Sequence, residues 1–206
     1  MGAVRHPIRR IVPISLTAKG EQLYHSLVYY KRPPPPWEPR GQLQQTFRVQ
    51  LAALFGRFVA QHGACIAGDV GSWDAIVVVP STRTTPGDIH PLHQTLSMLR
   101  NSAPLLLAPL RASDEQFADR EASDRRFTVT ADVSGRRILL VDDTMTSGAR
   151  LQSAASVLAL HGATVVAAVP IGRLINVEYS PDVWTRASKV PYDFDTCCVE
   201  GDAIPF

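Results

Sequence analysis

The sequence predicts an α/β fold, a mainly parallel central sheet flanked by helices, with a small hood region formed from its N- and C-terminal parts. Three observations carry this. Short unbroken apolar runs at 75–79, 138–141 and 164–171 have the pattern of strands buried on both faces. Apolar residues at helical spacing fill the stretches between them. Two of the runs end in polar loops that lead into helices, the order that builds parallel sheets and gathers loops at the carboxyl ends of strands.

Taken in order, residues 1–40 form an N-terminal hood or extension and residues 41–206 the α/β domain. Residues 11–16 read as a short strand, and 19–30 as a helix with Leu23, Leu27 and Tyr30 on one face. Four prolines at 33–36 make a stiff spacer that Trp37 docks on the domain. Residues 42–62 are the clearest helix: Phe47, Leu51, Leu54, Phe55 and Phe58 share a face, and Gly63 ends it. The strand at 75–79 leads through a polar loop into a helix at 91–100, with Pro91 at its first position and Leu92, Leu96 and Leu99 inward. His90 and His93 flank Pro91 and lack a third ligand, so no metal site is expected there. Residues 104–110 read as a third strand, and 111–126, dense in both charge signs, as a solvated loop. The last unit is the strand at 138–141, a helix at 149–161 with Leu151, Ala155 and Leu158 facing inward, a Gly162 cap, and the strand at 164–171.

Composition narrows the function. With 206 residues, 45% hydrophobic and 19% charged, the chain has the balance of a globular protein able to bury a substantial core. A formal charge of +2 gives no electrostatic case for nucleic acid. No apolar run approaches the roughly 20 residues a bilayer span requires, and residues 1–17 lack the pattern of a signal peptide. Cys65, Cys197 and Cys198 do not make a disulfide framework. A cytoplasmic protein without a membrane partner is expected.

The chemistry concentrates where the apolar run 138–141 ends in Asp142 and Asp143, followed by Thr144, Met145, Thr146, Ser147 and Gly148. Hydroxyls and backbone N–H groups of Thr146, Ser147 and Gly148 at a helix N-terminus suit a phosphate, and Gly148 lets the backbone approach it closely. Two ionised carboxylates accept hydrogen bonds only, and beside a phosphate cradle they would repel a bare anion. A ligand that also offers vicinal hydroxyls removes the conflict, so a sugar phosphate is the natural fit. A response-regulator receiver also carries Leu-Val-Asp-Asp, but it places most of its sheet after the acidic pair, and only 63 residues follow Asp143 here.

The stretch 137–148 resembles the ribose-phosphate signature of the type I phosphoribosyltransferases: apolar strand, two acidic residues, Thr/Ser-Gly loop. The resemblance implies that Asp142 and Asp143 hold the ribose hydroxyls of phosphoribosyl pyrophosphate and that residues 144–148 wrap its 5-phosphate. Where the family usually has Thr two residues after the Gly, this chain has Arg150, whose guanidinium also suits a phosphate. The loop after the first core strand would bind pyrophosphate through Ser81, Thr82, Arg83 and Thr84. A loop from 111–126 would close over the site, with Arg111 or Arg125 joining Arg83 to neutralise the leaving group. Arg173, Trp184, Tyr192 and Phe194 mark the region of the base pocket. Mg²⁺ would arrive with the pyrophosphate, since it typically binds through few carboxylates plus substrate phosphates. The spacing of Arg111, Gln116, Arg125, Phe127 and Gly135-Arg136 is similar to that of the ComF-like branch, though the cysteine-rich zinc module of that branch is absent. Two functions follow as expectations: a Mg-dependent phosphoribosyltransferase acting on a base or amine, as a homodimer, or a binding protein that senses phosphoribosyl pyrophosphate or a nucleotide, or serves nucleic-acid handling, without turnover.

Overall fold

The computed structural model describes residues 4–32, 41–81, 89–189 and 192–196, without the side chain of Asp69. Expectations placed on Pro33 to Pro36, Trp37, Thr82, Arg83, Thr84, Cys197 and Cys198 lie outside the described residues.

The sheet is parallel throughout, as the apolar runs predict. Its strands are β1 (Ser15–Ala18), β2 (Ala75–Val78), β3 (Leu106–Leu107), β6 (Arg137–Met145) and β7 (Thr164–Ile175), in the order β1-β7-β6-β2-β3. Two short strands, β4 (Leu110–Ala112) and β5 (Phe127–Val129), pair antiparallel as a separate ribbon. The helices are α1 (Gln22–Tyr29), α2 (Gln42–Ala67), α3 (Pro91–Leu96), α4 (Ala149–Leu160) and α5 (Pro181–Ala187). Among the described residues no helix is long and apolar enough to cross a membrane.

Strand periodicity sorts the core into two layers. Ile76, Val78, Leu139, Val141, Val169 and Ile171 point to one face, where they meet Leu27 and Tyr30 of the α1 end and Leu51, Phe55 and Phe58 of α2. Ala75, Val77, Ile138, Leu140 and Ala168 point to the other, against Leu151, Ala154, Ala155 and Leu158 of α4 and Phe127 of the ribbon. The N-terminal segment is part of this body: β1 extends the sheet beside the second half of β7, from Ser15 opposite Gly172 to Ala18 opposite Ile175.

The first strand lies at Ser15–Ala18 and not at 11–16, the first helix at Gln22–Tyr29, and β7 runs on to Ile175; four further boundaries differ from the sequence reading. Helix α2 runs through Gly63 to Ala67, because Gly63 packs against Trp73 and the following residues bury Ile66 and Ala67; the chain turns at Gly68, with φ of +46°. Helix α3 stops at Leu96, where tight backbone bonds from Met98 to Thr95 and from Leu99 to Leu96 replace the helical ladder. The expected third strand divides into β3 and β4 on either side of Pro109, which has no N–H for a ladder. Strand β6 does not end at Val141: long β7 keeps pairing with it, Thr144 opposite Gly172 and Met145 opposite Arg173.

Candidate functional site at the tip of β6

The acidic pair sits at the carboxyl end of the central strand, and the two-residue period of that strand separates its members. Asp143 follows Leu139 and Val141 toward the α1/α2 layer, while Asp142 follows Ile138 and Leu140 toward α4. Both are buried, at 2% and 3% exposure. Each is met by a cation from its own side.

On the α1 side, Tyr30 Oη and Lys31 Nζ both donate to Asp143 Oδ2, each at 2.7 Å. Arg48 of α2 holds the end of this helix by donating from Nε to the Tyr30 carbonyl at 3.2 Å. On the α4 side, an Arg150 terminal nitrogen lies 3.9 Å from Asp142 Oδ1 and donates to the Pro80 carbonyl at 2.9 Å, joining the tips of β2 and β6. The buried Arg150 Nε has no hydrogen-bond partner among the described residues. Asp142 Oδ1 also accepts the Asp143 backbone N–H at 2.9 Å.

These environments push the two carboxyls apart. Burial raises Asp142 to about 7, with Asp143 adding to the rise and Arg150 opposing it. Burial also acts to raise Asp143, but the charge and hydrogen bond of Lys31, with His90 and Tyr30, outweigh it and the net shift is downward. Burial and the adjacent Asp143 carboxylate raise the Tyr30 phenol, which therefore stays a donor. His90, at the start of α3, is held to about 4 by burial, and its Nδ1 accepts the Leu92 N–H at 3.1 Å, so the neutral ring carries its proton on Nε2.

Asp142 and His90 tilt stability in opposite directions. Folded Asp142 keeps a proton that the unfolded chain releases, so its contribution is present below pH 3.8 and lost as pH rises toward 7. Folded His90 refuses a proton that the unfolded chain takes up below pH 6.5, so its contribution is present above that pH and lost as pH falls toward 4. The slopes largely cancel in the wild type. Relative to it, Asp142→Asn is expected to make stability climb with pH across this window and His90→Asn to make it fall, by up to roughly 3 kcal/mol each. Urea unfolding across the window checks this, and variant profiles parallel to the wild type would contradict it.

Beyond the strand the turn is open. Thr146 and Ser147 are exposed, Gly148 takes φ of +76°, and the N–H groups of these three residues make no hydrogen bond among the described residues. Ser147 Oγ donates to the Asp119 carbonyl at 3.2 Å, which brings the charged loop 113–126 against the turn. Thr144 is half-buried within β6, and Met145 is buried in the α4 layer.

The other expected residues are dispersed. Ser81 is half-buried just past β2. Arg111 is exposed on β4 opposite Thr128, and Arg125 is exposed and paired with Glu115 at 2.5 Å. Arg173 is half-buried beside Met145 on the sheet, and Trp184 is half-buried on α5. Phe194 meets Tyr192 edge-on at 4.7 Å and carries the Arg57 guanidinium 4.1 Å above its ring, so this segment packs on α2. Tyr30, Lys31 and His90 were not singled out as site residues from the sequence. Their approach to Asp143 spans more than fifty residues of chain and leaves no local spacing to read.

A sequence-family model for the phosphoribosyl transferase domain matches residues 95–199, a span that includes β6, the turn and α4. The chain belongs to the phosphoribosyl transferase domain family. The matched part of this phosphoribosyl transferase domain begins after the loop that follows β2 and includes Asp142, Asp143 and the turn. Among solved structures, UMP synthase of Leishmania donovani is similar over 74% of this chain and 32% of its own length, at 14% identity and a TM-score of 0.40. The chain thus spans about a third of that protein. No curated protein matches the chain.

Proposed function

We propose that the protein is a phosphoribosyltransferase that takes phosphoribosyl pyrophosphate and transfers its ribose 5-phosphate to a nitrogen of a base or amine. The observation that carries this reading is the pairing, in a phosphoribosyl transferase domain, of a buried acidic strand tip with a turn whose three consecutive N–H groups are unbonded among the described residues. Those N–H groups and the adjacent hydroxyls would take the 5-phosphate. Asp143, held ionised, would accept from the ribose hydroxyls, with Asp142 beside it. The unpartnered Arg150 Nε supports a role toward an anion at the same tip.

In this reaction the C1–oxygen bond to pyrophosphate breaks, a C1–nitrogen bond forms, and the nitrogen's proton passes to an acceptor. The transition state resembles an oxocarbenium ion and needs positioning and charge stabilisation more than a protein nucleophile. Arg83, with Arg111 or Arg125, is proposed to neutralise the leaving pyrophosphate. For Arg125 this requires release from Glu115. Ser81, Thr82 and Thr84 would contact the pyrophosphate, and Arg173, Trp184, Tyr192 or Phe194 would meet the acceptor.

The donor set bears on Mg²⁺. Among the described residues no group of three or more His, Cys, Asp or Glu side chains could hold a metal ion. Asp143 Oδ2 is taken by Lys31 and Tyr30, whereas Asp143 Oδ1 and Asp142 Oδ2 make no hydrogen bond among the described residues. With the two carboxyls on opposite faces of the strand, this donor set fits an ion brought in by the substrate, not one resident in the free protein. When bound, it would supply positive charge against the pyrophosphate.

The test is incubation with Mg²⁺, phosphoribosyl pyrophosphate and a panel of purines, pyrimidines and ammonia while following pyrophosphate release. Acceptor-dependent release is the expected result. Ligand binding without release from any acceptor would favour the second reading, a sensor of phosphoribosyl pyrophosphate or a nucleotide. Arg150 favours that reading, because it stands where the family usually has Thr and crosses between the β6 and β2 tips. Arg150→Thr is expected to weaken ligand binding about tenfold, the loss of one charge-assisted contact. Improved turnover in this variant would show that the guanidinium obstructs the phosphate site.

A further inference from the structure

The end of α1 lies outside the matched family region, yet it makes the closest polar contacts to the acidic pair. Tyr30 and Lys31 arrive from more than a hundred residues away and converge on a single oxygen, Asp143 Oδ2. An ionised carboxylate offers about four lone-pair positions, two on each oxygen. Two donors therefore fill Oδ2, while Oδ1 makes no hydrogen bond among the described residues. Rotation about the side chain would break both bonds, so Asp143 is held in one orientation.

The donors are themselves fixed. Tyr30 is fully buried and belongs to the α1/α2 core layer, its carbonyl accepts from Arg48, and the Lys31 ammonium lies 5.7 Å from the Tyr30 ring centroid. Lys31 keeps 39% of its side chain exposed, so it guards the solvent side of the carboxylate. The groups facing Asp143 are Tyr30 and Lys31 from α1, His90 from the start of α3, and Asp142 beside it on β6. Among these Lys31 is the largest source of positive charge, ahead of His90, and Asp142 supplies none, so Lys31 is the chief cation that keeps Asp143 ionised.

We infer that Tyr30 and Lys31 are positioning residues of the ribose site: by holding Asp143 Oδ2 they present Oδ1 as the acceptor for a ligand hydroxyl. This rests on the proposed binding of phosphoribosyl pyrophosphate at the β6 tip, and it makes the N-terminal helix a working part of the site.

The experiment uses the full chain, with calorimetric titration of phosphoribosyl pyrophosphate plus Mg²⁺ and, separately, of inorganic phosphate, into wild type, Tyr30→Phe, Lys31→Met and Lys31→Arg. Tyr30→Phe removes only an oxygen, and Lys31→Met keeps the apolar stem. Each is expected to weaken phosphoribosyl pyrophosphate about tenfold, the size of one charged hydrogen bond, while inorganic phosphate, which needs only the turn, is unchanged. Lys31→Arg should recover most of the loss. A carbon-detected NMR titration of the Asp143 carboxyl should move upward in Lys31→Met and return in Lys31→Arg. Affinity within twofold of wild type in both Tyr30→Phe and Lys31→Met would overturn the inference and leave the site reading standing. Loss of inorganic phosphate binding as well would reduce the role to general folding and overturn it too. A wild type that binds inorganic phosphate but not phosphoribosyl pyrophosphate would remove the reading and the inference together.

Discussion

Asp142→Asn combined with Asp143→Asn is expected to lower affinity for phosphoribosyl pyrophosphate at least about a hundredfold while the protein stays folded. A charge-assisted hydrogen bond to Asp143 at about 1.5–3 kcal/mol, with a neutral one to Asp142 at about 0.5–1.5 kcal/mol, is enough for that loss. The halves of the double variant should not contribute equally. Burial already favours the protonated form of Asp142, so Asn there imitates the neutral side chain and costs little. Asn at 143 replaces the anion that Lys31 and Tyr30 address, and it removes the acceptor proposed for the ligand hydroxyl. Removing one partner of a fully buried pair costs about 3–5 kcal/mol of stability. Lys31 is over a third exposed and can turn to solvent, so the loss here should fall nearer about 1–2 kcal/mol. Calorimetry for the ligand and urea unfolding for stability check both parts. A double variant that still binds at wild-type affinity would count against the ribose assignment.

Gly148→Val is expected to remove phosphate binding by a different route. At φ of +76° a side chain is strained even where there is space, and a Cβ here would meet only Met145 Sδ at 3.7 Å and Ile11 Cδ1 at 3.9 Å. Crowding is therefore not the difficulty. The left-handed backbone costs a β-branched residue about 1–2 kcal/mol or more, and the turn relieves that cost by rotating. The N–H groups of Thr146, Ser147 and Gly148 would then be reoriented. Affinity for inorganic phosphate and for phosphoribosyl pyrophosphate should fall together, by about a hundredfold for the latter, with helix α4 intact by circular dichroism. Retained phosphate binding would place the anion elsewhere.

These two variants act on features that the sequence reveals to different degrees. Ile138 to Val141, the acidic pair and Gly148 are contiguous, so the strand, the tip and the turn are readable from local pattern. The parallel sheet follows from the same kind of evidence, since a strand buried on both faces needs continuous apolar residues. Local signals mislead where tertiary contact overrides them. Gly63 normally marks a helix end, but Trp73 packs against it and α2 continues. Leu99 has helical spacing with Leu92 and Leu96, yet it reaches Gly56 of α2 from a turn. The strand period by itself puts adjacent Asp142 and Asp143 on opposite faces of the sheet. Knowing which cation each would meet required the fold, because Lys31 and Arg150 are brought to the tip by separate helices.

The central claim is that a phosphorylated pentose lies against the β6 tip, its hydroxyls on the Asp143 side and its 5-phosphate on the turn. A crystal structure of the protein with phosphoribosyl pyrophosphate and Mg²⁺ tests this most directly. The account predicts the 5-phosphate within hydrogen-bond reach of the Thr146, Ser147 and Gly148 N–H groups, with a ribose hydroxyl on Asp143 Oδ1. A ligand seated elsewhere, with Lys31 and Tyr30 closing the carboxylate off unchanged, would contradict it.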